Sequence, residues 1–570
     1  MKKNLDVIEL SATDLVGHLN CQHLTALDLG VAAGTLTKPK VWDPLLEILR
    51  ERGRRHEEGF IEHLAAQGLE AVTIEGVDIT PDAVAQTRQA MAQGVEIIIQ
   101  GALKHGQWAG RADILRRVEA PSDLGAWSYE IIDTKLARET KAGSVLQLCL
   151  YADLLAQVQG KAPENVYVVA PWSNFEPQTF RFADYAAYFR KAKVAIEDAT
   201  NNDQPTAPYP EPKEHCDICR WRERCDQRRR DDDHLCLVAG LSKTQTTELH
   251  ERGITTAAAL ALMPVPLPWK PKRGAAQTYE KIREQARIQM ASREAEAPLY
   301  ELLPVTSDAG FSLLPEPSDG DIFFDIESDA HVGEHGLEYL FGYMFRDENG
   351  NWTYNADWAF DRESEKAIFE RFVDFVSARL ERYPDLHIYH YAPYEPAALK
   401  RLMGRYATRE TEIDEFLRGH VLVDLYSVVR NAVRVGVESY SIKKLEPVFG
   451  YERDTTLTDA NQALASLQAG LELGDIESVS DEDRNAVQSY NRDDCVATIS
   501  LRDWLEERRQ ELIDTGEDVS RPPPSEQQAS EELTERDLAV RDLIDRLTRD
   551  VPVDIEERTE EQQARWVLAY

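Results

Sequence analysis

The pattern of apolar and polar positions predicts two mixed α/β regions separated by a helical stretch. In the first region, residues 1–235, the apolar run YEIIDTK at 129–135 is typical of a strand. The segments ERGRRHEEGFIEHL at 51–64 and LQLCLYADLL at 146–155 are typical of helices. Strands and helices that alternate in this way predict an α/β fold.

The rest of the chain divides into further segments. Residues 236–300 predict a small helical element, and residues 301–320 are rich in Pro, Ser and Gly, which is typical of a linker. A second α/β region spans 321–510, from the apolar strand DIFFDIE to a long helical pattern that begins at EDRNAVQ. Residues 511–570 form a charged extension interrupted by PPP at 522–524. We expect either that the natural polypeptide continues beyond it into a further domain or that its end docks on another surface.

Composition predicts a folded multidomain protein without a membrane segment. The chain has 570 residues and a hydrophobic content of 42%, which suits several folded domains. No apolar run approaches the roughly 18–20 residues of a membrane span. The N-terminal sequence MKKNLDVIELSATDL lacks the apolar region of a signal peptide. We therefore expect a cytoplasmic protein with no membrane partner.

The net charge of −36 by itself argues against a nucleic-acid partner. However, much of the acid lies in the last third of the chain, and arginine-rich clusters remain at 50–56, 220–224 and 228–230. An acidic surface that is poor in lysine is also compatible with adaptation to a salty cytoplasm. The charge therefore does not exclude nucleic acid as a substrate.

A first set of chemistry-bearing residues surrounds the predicted strand at 129–135. Asp133 and Lys135 lie two positions apart, so their side chains share one face of the strand. Such a pair suits a metal-dependent phosphodiesterase, because the carboxylate holds the ion while the ammonium activates water or stabilises developing charge. Asp113 is a candidate second carboxylate, and His56 is a candidate nitrogen ligand. Gln147 and Tyr151 lie on one helix face.

Each of these features has an ordinary structural interpretation when taken alone, such as a strand end, a solvated histidine or helix packing. Their order, G-x2-H, G-R-x-D, D-x-K and Q-x3-Y, resembles the RecB-like branch of the PD-(D/E)xK nuclease superfamily over residues 1–235. The resemblance implies a restriction-endonuclease-like core. It also implies metal binding by His56, Asp113 and Asp133, and catalysis by the two aspartates with Lys135, Gln147 and Tyr151.

The segment EHCDICRWRERC contains three of the seven cysteines in a C-x2-C-x5-C spacing. Metal sites built from thiolates usually have four ligands, so Cys216, Cys219 and Cys225 need a fourth. A zinc site could take this ligand from His215 or Cys236. The spacing alone leaves the identity of the metal open.

The resemblance offers another fourth ligand. RecB-like members most similar to this pattern carry an iron–sulfur cluster that joins one cysteine before the nuclease core to three after it. This implies a 4Fe–4S cluster bound by Cys21 together with Cys216, Cys219 and Cys225. Four thiolates are enough for such a cluster, and linking the two ends of a domain disfavours the unfolded chain. Two further cysteines, Cys149 and Cys495, are predicted to be core residues.

The helical stretch between the two regions contains LSKTQTTELHERGITTAAALA, which resembles a helix-hairpin-helix element. Such elements can bind the DNA backbone through main-chain amides at the turn. The alternative interpretation is a helical spacer with no ligand.

A second set of candidates lies in residues 321–510. Asp325 and Glu327 share one face of the strand DIFFDIE, where they could hold one or two divalent ions. Glu395 lies near the junction of a predicted strand and helix, in HYAPYEPAAL. Tyr490 and Asp494 are four positions apart on the long predicted helix and therefore share one face.

The order D-x-E, acid, Y-x3-D resembles the DEDDy 3′–5′ exonucleases with an RNase H-like fold, and most closely a YprB-like branch. The resemblance implies four carboxylates that hold two metal ions and a tyrosine, Tyr490, that positions the attacking water. The second motif usually ends in aspartate, whereas this chain has Glu395. Asp424 is an alternative fourth acid, and Asp493 competes with Asp494, although the i+4 relation to the tyrosine favours Asp494.

Together these patterns predict a DNA nuclease with two hydrolytic sites that depend on Mg²⁺ or Mn²⁺. Single-stranded ends or flaps would be its substrates, in repair, recombination or defence. The resemblance also implies a superfamily-1 helicase in cis or in trans, and no G-x4-G-K-[ST] motif occurs in the 570 residues. Two alternatives remain: a DNA-binding scaffold with one inactive nuclease domain, and an RNA 3′–5′ exonuclease.

Overall fold

The computed structural model describes residues 1–4, 7–40, 44–136, 140–201, 207–333, 335–454, 456–522, 531–552, 555 and 558–569. The strands of the first region are β1 (Lys2–Asn4), β2 (Val7–Glu9), β3 (Ala71–Thr73), β4 (Ile97–His105), β5 (Trp108–Val118), β6 (Ser128–Thr134), β7 (Asn165–Val169) and β8 (Gln178–Arg181). Its helices are α1 (Ala12–Asn20), α2 (Gln22–Ala32), α3 (Pro44–Ala66), α4 (Pro81–Gln93), α5 (Ala142–Gln159), α6 (Phe182–Asn201) and α7 (Arg222–Asp231).

Strands β3 to β8 form one mixed sheet whose spatial order follows the chain. The pairs β4–β5 and β5–β6 are antiparallel, whereas β6 and β7 are parallel. Apolar side chains point to both faces of β6, since Ile131 joins the core beneath α5 and Ile132 joins the core beneath α3. Burial on both faces explains why this strand is a continuous apolar run rather than an alternating one.

Local sequence sets several helix ends in this region. Ser11 and Asp14 form a reciprocal capping box at the start of α1. The hydroxyl of Thr80 accepts from the amide of Ala83 at the start of α4, and Gly94 ends that helix in the left-handed conformation, with a φ of 75°. These caps satisfy backbone groups that the helices themselves leave unpaired.

The stretch predicted to be helical contains α8 (Lys243–Glu251), α9 (Ala257–Ala261) and α10 (Ala276–Ala295). Gly253, with a φ of 79°, makes the turn between α8 and α9. The three helices share a small core of their own that includes Leu249, Leu260 and Tyr279. The two short helices and their turn therefore match the predicted hairpin.

The second region has the strands β9 (Tyr300–Leu302), β10 (Ile322–Asp329), β11 (Leu337–Arg346), β12 (Trp352–Trp358), β13 (Ile388–His390), β14 (Leu422–Asp424) and β15 (Val433–Val435). Its helices are α11 (Arg362–Arg382), α12 (Tyr394–Tyr406), α13 (Glu410–Arg418), α14 (Leu425–Ala432), α15 (Ile442–Phe449), α16 (Leu457–Leu473) and α17 (Asp481–Asp514). The main sheet has the order β12-β11-β10-β13-β14, in which β10 is antiparallel to β11 and parallel to β13.

Helices cover both faces of this second sheet. Helices α11 and α12 pack on the face that carries Phe324, whereas α14, α15 and α17 pack on the face that carries Phe323. The carboxyl ends of the parallel strands β13 and β14 point to the same edge, where α12 and α14 begin. Polar residues that end these strands are therefore brought together at one edge of the sheet.

The prediction of a linker at 301–320 needs correction. Strand β9 pairs with β15 in an antiparallel two-stranded sheet, so residues 300–302 belong to the second region. Phe311 and Leu314 are buried in the core beneath α14 and α17. Pro, Ser and Gly set the backbone course of this segment, but its few apolar side chains anchor it.

The extension contains α18 (Glu531–Thr548) and α19 (Glu560–Ala569), which pack against each other. In the part of the chain that the structure describes, every helix is too short or too polar to cross a bilayer.

Candidate functional site

The first site lies where β5 and β6 run side by side. Asp113 and Asp133 face each other one step beyond the paired residues Ile114 and Ile132. The backbone N–H of Thr134 donates to Asp113 Oδ2 at 3.0 Å, which fixes that carboxylate beside Asp133. Burial raises the pKa of Asp133 to about 8, and the charge of Asp113 adds to the shift. The two acids therefore resist ionising together without a cation.

Lys135 supplies a cation directly after the strand. Its Nζ lies 2.5 Å from Asp133 Oδ2, as the i, i+2 spacing predicts. Burial disfavours the charged lysine, but the charges of Asp133 and Asp113 outweigh this effect and raise its pKa. The lysine is therefore a fixed ammonium beside two carboxylates.

Gln147 and Tyr151 on α5 close the same site. Gln147 Nε2 lies 3.4 Å from Asp133 Oδ1 and 3.3 Å from the hydroxyl of Tyr151. The tyrosine ring lies against Gly110, where an added Cβ would be 2.5 Å from Tyr151 Cε1. The glycine of the G-R-x-D sequence is therefore needed to admit the tyrosine ring.

His56 on α3 lies near this site, but its ring is held by a backbone group. Its Nε2 is 3.0 Å from the carbonyl oxygen of Val169, and the ring stacks on Phe175. A carbonyl only accepts, so Nε2 carries a proton, and in the neutral ring the lone pair then lies on Nδ1. Among the residues that the structure describes, His56, Asp113 and Asp133 do not form a group with ligand atoms within 4.8 Å of one another.

A further acid, Glu57, faces the site and was missed from the sequence. Burial raises its pKa, and the charge of Asp113 adds to the effect while that of Lys135 opposes it. Gln100 Nε2 donates to Glu57 Oε1 at 2.5 Å. Gln100 has a left-handed φ of 56° within β4, a conformation that is uncommon for glutamine. Helical periodicity could have indicated Glu57 only if the inward face of α3 had been known.

The second site is a group of three carboxylates. Asp325 and Glu327 on β10 and Asp494 on α17 offer ligand oxygens that all lie within 4.8 Å of one another. Burial raises the pKa of Asp325 well above its usual range, and the charges of Asp494 and Glu327 raise it further. Burial and the charge of Asp494 raise the pKa of Glu327 to about 8. In the described residues this is the one such group, and it can hold a metal ion.

Asn491, one turn before Cys495 on α17, orients the carboxylate of Asp325. Its Nδ2 donates to Asp325 Oδ2 at 2.7 Å, and its Oδ1 accepts from the hydroxyl of Tyr354 at 2.8 Å. Gly342 pairs with Asp325 across the sheet, and a Cβ there would lie 1.5 Å from Asn491 Oδ1. The missing side chain at Gly342 therefore makes room for the amide.

Two cations that the sequence analysis missed border the second site. Lys443 on α15 hydrogen-bonds to the hydroxyl of Tyr490, and its ammonium lies over the tyrosine ring at 4.6 Å. Arg453 Nη2 lies 2.5 Å from Asp494 Oδ1 and also pairs with Glu446. Burial raises the pKa of Tyr490, and the charge of Asp494 adds to the shift.

Glu395 lies at the start of α12, near the three acids but outside their group. Its side chain is buried, and its Oε2 is 3.4 Å from Nδ1 of His390. Its charge contributes to the raised pKa of Asp325, so it faces the same space. Burial raises the pKa of Glu395 itself.

The two alternative acids of the second site are engaged elsewhere. Asp424 is the N-cap of α14: its Oδ1 accepts from the amides of Ala392 and Tyr426, and its Oδ2 accepts from the hydroxyl of Ser427. Asp493 accepts from the hydroxyl of Tyr451 at 3.0 Å. The helical phase therefore turns Asp494, rather than its neighbour, toward the group of three carboxylates.

The structure brings the cysteines of the C-x2-C-x5-C segment close to Cys21. Cys21, Cys216, Cys219 and Cys225 line one cavity. Burial raises the pKa of Cys225 to about 11, and the charges of the other thiols add to it. Cys216 Sγ accepts from the backbone N–H of Lys213 and from Arg229.

The zinc alternatives differ in position. His215 lines the same cavity as the four cysteines. Burial raises the pKa of Cys236 to about 11, and the charged groups that act on it are Arg229 and nearby carboxylates rather than other cysteines. A single zinc ion, with Zn–S bonds of about 2.3 Å, would hold its sulfurs about 4 Å apart. In the described part of the chain no three cysteine sulfurs lie within 4.8 Å of one another. Cys149 and Cys495 are buried core residues, as predicted.

Each of the two α/β regions matches the model of a known protein family. Residues 24–226 match the family model of the PD-(D/E)XK nuclease superfamily. Residues 322–506 match a model of the RNase_H superfamily, RNase_H_2. No curated protein matches the chain. The matched ranges contain the first and second sheets, respectively, so each candidate site lies inside a nuclease-superfamily domain.

Proposed function

We propose that this chain, which combines a PD-(D/E)XK domain with an RNase H-like domain, is a DNA nuclease with two Mg²⁺- or Mn²⁺-dependent sites. The observation that carries the proposal is the half-buried group of Asp325, Glu327 and Asp494, whose ligand oxygens lie within 4.8 Å of one another. Like charges that are buried together are unfavourable unless a cation neutralises them. Acids of this kind, on an RNase H-like sheet, support metal-assisted hydrolysis of a phosphodiester.

In the second domain, protein groups would hold the acids and the attacking water in place. Divalent ions bound to such carboxylates supply Lewis-acid chemistry and lower the pKa of water. Asn491 fixes the orientation of Asp325, and Arg453 fixes Asp494. The hydroxyl of Tyr490, held by Lys443, would orient the water toward the phosphorus atom. Glu395 would serve as the fourth acid.

In the first domain, Asp113 and Asp133 would bind the ion, with Glu57 as a further acid at its edge. In its neutral form His56 would offer Nδ1 as a nitrogen ligand, because Nε2 donates to the carbonyl of Val169. Lys135 would stabilise the charge that develops on the phosphate or orient the water. Gln147 and Tyr151 support Asp133 from α5.

The four cysteines that share a cavity support a 4Fe–4S cluster that links α2 to the end of the first domain. The four side chains line one cavity, and N–H groups of Lys213 and Arg229 point at Cys216. The cysteine thiols would release their protons to solvent as their sulfurs bind the cluster. The cluster would hold Cys21 against the C-x2-C-x5-C segment, and its role would be structural.

The resemblance to helicase-associated nucleases extends the proposal to pathway and partner. We place the chain in end processing of single strands or flaps, in repair, recombination or defence. A superfamily-1 helicase in cis or in trans would deliver those strands, and the α8–α9 hairpin would contact their backbone through main-chain amides.

The proposal is tested by anaerobic digestion of end-labelled single-stranded DNA with Mn²⁺, beside RNA of the same sequence. Wild type is compared with Lys135→Ala for the first site and Asp494→Asn for the second. Asp493→Asn is the matched control, since that carboxylate bonds to Tyr451 instead. We expect each active-site variant to lose a different set of DNA products and the control to keep the wild-type pattern.

Other outcomes identify the alternatives. If Lys135→Ala alone loses products, the second domain is a binding platform with an inactive site. If RNA is degraded and DNA is not, the chain is an RNA exonuclease. If neither variant alters the products, the assignment of both sites is wrong.

A further inference from the structure

A cavity of about 670 Å³ lies between the helical element and the second domain, outside both candidate sites. Residues of α10 form one wall, and the segments around α14 and β15 form the other. The lining is rich in polar groups and cations, including Lys281 from α10 and Arg430 and Arg434 from the second domain. Cations outnumber acids in the lining, so its ligand is expected to be anionic.

The charge balance of this cavity is positive although the chain carries a net charge of −36. Arg434 is paired with Glu301 at 3.1 Å, and Glu438 is paired with Arg230 at 2.8 Å. Within the described residues, neither Lys281 nor Arg430 has an ion-pair partner. Asp308 is the remaining acid of the lining. Two exposed cations without acidic partners are therefore available to an external anion.

An aromatic side chain lies beside these cations. Tyr426, on the first turn of α14, lines the cavity and is half-buried. Arg430, one turn further along, lies over the tyrosine ring at 5.5 Å and donates to its hydroxyl at 3.2 Å. A ring for stacking beside cations for phosphates is the combination that binds single-stranded nucleic acid.

The cavity adjoins the second site through one short connection. Asp424 Oδ1 accepts from the amide of Tyr426 and from the amide of Ala392, in the loop that leads to Glu395. The ring of Tyr391 in that loop contacts the ring of Tyr426, with centroids 5.6 Å apart. A strand lying on Tyr426 would therefore continue toward the carboxylates of the second site.

We propose that this cavity binds a single-stranded nucleic acid, with Lys281 and Arg430 on its phosphates and Tyr426 stacked on a base. The inference rests on the proposed function, since it identifies where the strand lies before it reaches the second site. It also gives the helical element a second contact with the strand, through a side chain of α10 in addition to the main-chain amides of the α8–α9 turn.

The first test is binding of a fluorescein-labelled single strand of 12 nucleotides, measured by anisotropy in EDTA so that no hydrolysis occurs. DNA and RNA strands of the same sequence are compared. The double variant Lys281→Ala, Arg430→Ala should bind about fivefold more weakly. For this double variant, the slope of log K against log salt concentration should be shallower by about 1.4, because two phosphate contacts on a single strand are lost.

The matched control is Lys366→Ala with Arg382→Ala. It removes the same charge from α11, which packs on the opposite face of the second sheet. We expect this control to bind like wild type. Equal weakening in both double variants would mean that net charge alone governs binding, and it would overturn the proposed cavity site.

Tyr426 provides a separate readout that does not depend on charge. Tyr426→Leu should weaken binding about tenfold, because base stacking on the ring is lost. Tyr426→Phe should bind like wild type, since it keeps the ring. Unchanged binding in Tyr426→Leu and in the cationic double variant would refute the inference.

The failure of this inference can be separated from the failure of the proposed function. If wild type digests DNA with Mn²⁺ while the cavity variants bind and digest normally, the cavity site is wrong and the nuclease stands. If wild type digests no nucleic acid but the cavity variants lose binding, the cavity site is right and the nuclease assignment fails.

Discussion

Arg52 on α3 forms an ion pair with Glu472 on α16, and this contact joins the two nuclease-superfamily domains. His56 lies one turn after Arg52 on the same helix. Helix α16 packs in turn on α17, which carries Asp494 of the second site. The Glu472 carboxylate is buried. This burial raises its pKa, and the charge of Asp329 adds to the shift. One pair of helices therefore connects the elements that build both sites.

Replacing Arg52 by alanine should loosen this interface, because Glu472 would remain buried without its cation. Breaking a buried pair from one side costs about 3–5 kcal/mol. Hydrogen exchange followed by mass spectrometry should become faster in α3 and α16. Glu472→Gln should be milder, and the double variant should lose less than the sum of the single losses. Unchanged exchange in Arg52→Ala would show that the pair does not hold the domains together.

Asn491→Ala should lower the affinity of the second site for Mn²⁺ by about 10–100-fold, since Asp325 would lose the donor that orients it. Gly342→Ala should have the same effect, because its Cβ would displace the Asn491 amide. Isothermal titration calorimetry measures both. Gly404→Ala is the control, since a Cβ there meets no atom within 4 Å. Wild-type affinity in Gly342→Ala would contradict the steric argument.

Metal binding should strengthen as the pH rises from 6 to about 8. The pKa values of Glu327 and Asp133 are each raised to about 8, so both acids hold protons near neutral pH until an ion displaces them. Without metal, the folded state binds more protons than the unfolded chain between about pH 4.5 and pH 8. The stability of the metal-free protein therefore falls as the pH rises through that window.

This pH dependence can be measured by urea unfolding with and without Mn²⁺ at pH 6 and pH 8. The gain in stability on adding Mn²⁺ should be larger at pH 8. The variant Glu327→Gln should reduce the difference between the two pH values. An equal gain at both pH values would mean that the acids are already ionised at pH 6.

If the proposed iron–sulfur cluster is bound as inferred, Cys21→Ser should abolish it, whereas Cys236→Ser should retain it. Cys21 lines the cavity with the other three cysteines, and the charged groups acting on Cys236 are not cysteines. Iron and acid-labile sulfide are measured after anaerobic purification, together with zinc. Stoichiometric zinc without sulfide in wild type would establish the alternative metal site, and retention of iron in Cys21→Ser would exclude Cys21 as a ligand.

Spacing within one element predicted part of each site. Asp133 on β6 does meet Lys135, two positions further on and just past the strand, and Asp325 meets Glu327 on β10. Residues four apart on a helix, Gln147 and Tyr151, also contact each other. These relations follow from the period of a strand or helix, which neighbouring elements change little.

Composition was less informative where a few side chains decide the structure. The Pro, Ser and Gly of 301–320 indicated a linker, yet Phe311 and Leu314 bury this segment in the second core. The net charge of −36 likewise gave no indication of the local cationic lining that Lys281 and Arg430 provide.

The sequence by itself determined the main strands and helices that carry the motifs, the order of those motifs, and the candidate acids and cysteines. Only the tertiary structure decided which further residues join them, such as Glu57 and Asn491 beside motif residues and Lys443 and Arg453 from other segments. Their approach depends on how helices pack on a sheet, and no local period encodes that geometry. The same packing opened space for Tyr151 and Asn491 at Gly110 and Gly342, where a missing side chain is the sole local signal.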